Sequence, residues 1–124
     1  MNAGRLDQDV QVLDPDAVHA LTALVGDDIE ALAELVDAFV EEAPGRLAEL
    51  RRGAEEGDPA LARRAAHTLK SNALTFGALE LAALCRRLET AAADGELAGS
   101  RPQIDRADAE WTRVRDALIA LRRP

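Results

Sequence analysis

Apolar residues recur at steps of three and four along most of this chain, and the interruptions fall at glycine, proline and aspartate. Residues 1–13 show no clear period and read as an N-terminal arm. Asp14-Pro15 then has the form of an N-cap followed by proline at the first helical position. Val18, Leu21, Leu24 and Val25 follow at helical spacing, with Gly26 placed as a C-cap, so a short helix is expected here. Asp27 is expected to cap the next helix, with Glu30 three residues on as in a capping box. Ile29, Leu32, Val36, Phe39, Ala43, Leu47 and Leu50 form one long apolar stripe. Pro44 falls inside that stripe, which continues on both sides, so a kink is expected rather than a break.

Gly57-Asp58-Pro59 repeats the pattern of stop, cap and first turn. A third helix is expected from about Pro59 to about Thr75, ended by Gly77. A fourth is expected from about Ala78 to Ala93, with Leu81, Leu84, Cys85 and Leu88 on one face and Asp94-Gly95 closing it. The last begins near Arg101-Pro102, with a stripe of Ile104, Ala107, Trp111, Val114, Leu118 and Leu121. Short connections between long amphipathic helices favour antiparallel neighbours. The expected fold is therefore all-α: an antiparallel four-helix bundle over residues 14–124, with a short additional N-terminal helix covering one end. No larger internal repeat and no low-complexity segment is present.

Composition agrees with one helical domain. The chain has 124 residues, 48% hydrophobic and 31% charged, with abundant alanine and leucine and no tyrosine. The net charge of −8, with one tryptophan and two phenylalanines, argues against general nucleic-acid binding. There is no basic amphipathic face for a membrane surface and no uncharged apolar run long enough to span a bilayer. Proteins are the expected partners. The single cysteine, Cys85, excludes an intramolecular disulfide and CxxC-type metal sites. Met1 to Val10 is polar and has no hydrophobic signal segment, so a cytoplasmic location is expected.

The third helix breaks the bland pattern. At about 100° per residue, Leu61, Ala62, Ala65, Leu69, Asn72, Ala73 and Phe76 fall in one arc, the core face. His67 lies nearly opposite the centre of that arc. A histidine in an apolar stretch is most often a satisfied core residue, but this phase points His67 outward. Its neighbours there are Arg63, Arg64, Lys70, Ser71 and Leu74. An ordinary solvated helix face is the plain alternative. Three cations around one exposed imidazole, in a chain of net charge −8, instead describe a site for added negative charge. An imidazole titrates near neutral pH and is a competent nucleophile when unprotonated. Lys70 can meet phosphoryl oxygens as a mobile point charge. Phosphoryl transfer asks mainly for positioning and charge neutralisation. Leu74, an apolar residue facing water beside this cluster, marks a docking surface.

At this point the sequence resembles the histidine-phosphotransfer (HPt) domain family of bacterial two-component phosphorelays. His67-Thr68-Leu69-Lys70-Ser71 looks like the family's H-x-L-K-[G/S] signature. Phe76-Gly77-Ala78, Leu81, Leu84-Cys85 and Leu88-Glu89 continue the match, and Gly26-Asp27-Asp28 and Phe39-Val40-Glu41-Glu42-Ala43-Pro44 precede it. The resemblance covers roughly residues 13 to 121. It implies that His67 accepts the phosphoryl group through Nε2 and that Lys70 supports it. It implies that Ser71, where glycine is common, keeps the surface low for an approaching receiver domain, with Arg63, Arg64 and Leu74 around it. Gly77 would allow close approach of the third and fourth helices. Glu89 falls where some members carry a glutamine bonded to the histidine's other ring nitrogen.

The expected function is a stoichiometric phosphoryl carrier between receiver domains, or between a hybrid sensor histidine kinase and a response-regulator receiver. It is not a kinase, since a nucleotide-binding domain has no room here. No cofactor and no metal are expected on the chain itself, with Mg²⁺ supplied by the partner receiver, and a monomer is expected. A helical adaptor without phosphorylation is the alternative. A metal enzyme of the bundle type needs Glu-x-x-His pairs, and none occurs; Asp16-Ala17-Val18-His19 has the spacing but stands alone. His19 is expected at the surface, and Cys85 and Trp111 in the core.

Overall fold

The computed structural model describes residues 12–122. Among them are five α-helices and no strand: α1 (Pro15–Leu24), α2 (Ile29–Glu56), α3 (Pro59–Thr75), α4 (Leu79–Ala93) and α5 (Arg101–Leu121), with a 3₁₀ turn at Leu97–Gly99 before α5. Helices α2 to α5 form the expected bundle, each packing on its neighbours in chain order, with α5 closing back on α2. Helix α1 lies across one end, against α3.

The helices start and stop where side chains and glycines satisfy their ends. Asp58 caps α3 by accepting from the Leu61 amide at 3.2 Å, and Gly57 ends α2 in the left-handed conformation. The cap of α2 differs from expectation by one residue. Asp28 accepts from the Glu30 and Ala31 amides at 2.9 and 3.2 Å. Asp27 instead stays in the left-handed region with Gly26, at φ 60°, and so extends the turn by a step. Helix α2 runs unbroken through Pro44.

The core follows the stripes. Leu32, Val36, Phe39, Ala43, Leu47 and Leu50 of α2 are buried, as are Leu81, Leu84, Cys85 and Leu88 of α4. From α5, Ile104, Ala107, Trp111, Val114 and Leu118 join them. Phe39 stacks on Phe76 at a centroid distance of 5.3 Å and meets Trp111 at 4.9 Å, tying α2, the end of α3 and α5 together. Ile29 departs from its stripe: as the first residue of α2 it is exposed. Leu13, expected in the arm, is buried in the core with Val12 partly buried against it; residues 1–11 of that arm lie outside the described residues.

Helix α3 is the most enclosed of the four because α2 and α4 both pack closely on it. Its buried face is accordingly shifted and built from small residues: Ala62, Ala65, Ala66, Leu69 and Ala73. Leu61 and Asn72, expected within the arc, sit half-buried at its edge, while Ala66, not placed in the arc, is buried. Gly53 of α2 shows how close the approach is, since a Cβ there would lie 2.9 Å from the Ala62 Cβ. One narrow face of α3 remains open to solvent, and the site is on it.

Candidate phosphotransfer site

His67 stands at mid-length on the open face of α3, with its side chain 60% exposed. The packing of α3 on α4 brings Glu89 beside it. Glu89 Oε2 lies 2.9 Å from His67 Nδ1, and Glu89 Oε1 lies 2.6 Å from Lys70 Nζ. One carboxylate thus bridges the imidazole and the lysine. Only about a fifth of the Lys70 and Glu89 side chains is exposed, 20% and 19%. Lys70 was expected to carry its head out to solvent; it turns instead along the α3–α4 seam, because Glu89 offers a half-buried counter-charge there.

Burial by itself would raise the Glu89 pKa. The hydrogen bonds from Lys70 and His67, with the charge of Lys70, outweigh it and hold Glu89 below its ordinary carboxylate value. Glu89 is therefore ionised at neutral pH, and an ionised carboxylate can only accept. A neutral His67 ring that donates to this carboxylate carries its proton on Nδ1, which leaves the Nε2 lone pair free.

Ala60, Arg63, Arg64, His67, Thr68 and Glu89 line a shallow depression around the imidazole. Both arginines are exposed. Thr68 was not singled out in the sequence; its place four residues after Arg64 is the signal that sets it on this face. Ser71 and Leu74 lie outside the depression, on the following turns of α3, and both are exposed, Leu74 at 45%. Leu79, at the start of α4, is a second exposed leucine at that end of the hairpin.

A sequence profile of the Hpt domain matches residues 34–123. The chain belongs to the Hpt domain family. Among solved structures, the histidine-containing phosphotransfer protein B of Pseudomonas aeruginosa PAO1 is similar, with 30% identity and a TM-score of 0.81 over 90% of this chain and 94% of that one. No curated protein matches the chain. This Hpt domain accordingly has a phosphorelay function, and its family consists of phosphotransfer carriers rather than kinases.

The remaining residues singled out in this Hpt domain have structural surroundings. Gly77 does make a close approach, but to the start of α1 rather than between α3 and α4. Its carbonyl accepts from the Asp14 amide at 2.7 Å, and a Cβ on it would lie 2.8 Å from the Ala17 Cβ. Its φ of 74° is open to glycine and costly for most other residues. Cys85 is buried in α4, one turn before Glu89, and its thiol is pushed up to about 12, first by burial and then by the Glu89 charge. Such a thiol is inert. Trp111 is buried and His19 is exposed on α1, both as expected. No helix among the described residues is long and apolar enough to cross a membrane.

Proposed function

We propose that His67 is the phosphoacceptor of this Hpt domain, attacking phosphorus through Nε2. The observation that carries this is the Nδ1 contact with Glu89, which fixes the ring and leaves Nε2 unprotonated and exposed. In the forward step Nε2 bonds to phosphorus, the bond from phosphorus to a donor aspartate oxygen breaks, and that oxygen leaves as a carboxylate. Nδ1 keeps its proton, so the phosphorylated ring is an imidazolium facing the Glu89 carboxylate. Lys70 reaches the phosphoryl oxygens by exchanging part of its contact with Glu89. Arg63 and Arg64 add positive potential at the rim of the depression.

The partners are receiver domains of response regulators or of hybrid sensor histidine kinases, which supply the aspartate and Mg²⁺; the chain itself uses no cofactor. The receiver docks over Arg64, His67, Ser71 and Leu74. Its aspartate must come within bonding reach of the phosphorus, and the small Ala60 and Ser71 side chains permit that. Leu74 provides apolar area for a small, transient contact. Mixing the chain with a phosphorylated receiver should give acid-labile, base-stable label on the chain. The label should be lost in His67→Gln and kept in His19→Gln. Undiminished labelling of His67→Gln would overturn the assignment.

A further inference from the structure

Glu89 does more in this arrangement than orient a ring. We infer that the Glu89 carboxylate sets how readily the phosphoryl group leaves His67, by holding the proton on Nδ1 of the phosphorylated imidazole. The inference rests on His67 being the phosphoacceptor and concerns what happens after phosphorylation. When phosphohistidine reacts, the incoming oxygen, from an aspartate carboxylate or from water, bonds to phosphorus. The Nε2–P bond breaks and its electron pair returns to Nε2. With Nδ1 protonated the leaving group is neutral imidazole; with Nδ1 bare it would be imidazolate, a far poorer leaving group. The proton on Nδ1 therefore decides the reactivity of the P–N bond, and Glu89 Oε2 is the group within hydrogen-bond distance of it, at 2.9 Å.

The cationic side chains at the site pull the opposite way. Arg63, Arg64 and Lys70 from α3 disfavour an imidazolium, and α2 contributes no charged side chain to the depression. Cys85, behind Glu89 on α4, is uncharged at neutral pH because its thiol is pushed up to about 12. The carboxylate wins on distance and screening. The two arginines are exposed, so solvent and salt weaken them, and Lys70 is divided between the phosphoryl oxygens and Oε1 of the same carboxylate, 2.6 Å away before phosphorylation. In the unphosphorylated chain that contact also pins the carboxylate with Oε2 turned to the ring. A glutamine at this position could still accept from Nδ1 but would bring no charge. Glu89 is thus a positioning residue that acts through the imidazole, and it biases this chain towards fast discharge rather than storage.

The test uses the full chain phosphorylated by phosphoramidate, a small donor that needs no receiver. Loss of phosphohistidine is followed by ³¹P NMR from about pH 5 to about pH 9. An adjacent opposite charge moves a pKa by about one to three units, the lower end applying to an exposed ring. In Glu89→Gln the fall in lability with rising pH should come about one unit earlier, so that at the alkaline end the phosphoryl group is lost about tenfold more slowly than in wild type. A merely structural role for Glu89 would not move the profile along the pH axis. Coincident profiles overturn the inference while leaving His67 as the acceptor; absence of any phosphohistidine on His67 overturns both. A second measurement needs no variant: ¹⁵N NMR of the unphosphorylated wild-type imidazole should show Nδ1 protonated and Nε2 bare, and the reverse tautomer overturns the inference.

Discussion

Replacing Lys70 by alanine removes both the ion pair with Glu89 and the cation three residues from His67, and the two losses have different sizes. The pair has a 2.6 Å contact with both side chains about one-fifth exposed, 20% and 19%. Fully exposed pairs contribute roughly 0.2–1 kcal/mol, and breaking a fully buried one costs about 3–5 kcal/mol. Here Glu89 keeps its bond to His67 and some contact with water, so the loss should be about 1–2 kcal/mol. In a domain of this size that lowers the melting temperature by about 3–8 °C. The loss at the reacting phosphoryl group is larger, because a hydrogen bond to a charged group contributes about 1.5–3 kcal/mol. The transfer rate should therefore fall by about 10- to 150-fold. Rapid-quench transfer from the phosphorylated chain to a receiver measures the rate, and circular dichroism melts measure the stability. A wild-type rate in Lys70→Ala would refute the role of the lysine at the phosphoryl group. A drop in melting temperature of more than about 15 °C would refute the account of the pair as half-buried and only modestly stabilising.

Ser71→Trp should block transfer to the receiver while leaving phosphoramidate labelling of His67 and the melting temperature nearly unchanged, because Ser71 is exposed one turn from His67; transfer at the wild-type rate would place the receiver on another face. Gly77→Ala should destabilise the domain by about 2–4 kcal/mol. The left-handed backbone accounts for about 1–2 of this and the clash with Asp14 and Ala17 for the rest. Denaturant unfolding checks the value, and a cost under about 0.5 kcal/mol would show that the start of α1 yields freely. Glu89 has a folded-state pKa below its unfolded value of about 4.3, so its contribution to stability is present above that pH and is lost as pH falls through the lower folded value. The difference in melting temperature between wild type and Glu89→Gln should thus shrink below about pH 4; a difference constant down to pH 3 (roughly one unit below the unfolded value) would contradict this reading of the bridge.

The helices were legible from the chain alone because their signals are local. Three-and-four spacing places Val36, Phe39 and Ala43 on one face whatever surrounds them, and Asp58-Pro59 starts α3 by satisfying its own first turn. The outward phase of His67 is equally local, since it follows from the apolar arc of the same helix. Errors came where neighbours decide. A periodic pattern gives the direction of a face but not its width. Ala66 is buried because α3 has a helix on each side, and Ile29 is exposed because it begins α2. Gly77 was marked for close approach, but its partner, the start of α1, depends on how that short helix crosses the end of the bundle.

The site divides along the same line. His67, Lys70 and their cationic neighbours share one helix, and spacing alone assembled them. The bridge to Glu89 spans 22 residues from His67 and 19 from Lys70, across two helices. The family resemblance could mark Glu89 as a partner of the imidazole, yet a hydrogen bond needs the two helices rotated and shifted to within a fraction of an ångström. That register is set by the alanine-rich packing of α3 on α4, and only the tertiary structure decides it. The same packing turned Lys70 from solvent to the seam, because a half-buried carboxylate within 2.6 Å holds a flexible ammonium that water would otherwise keep.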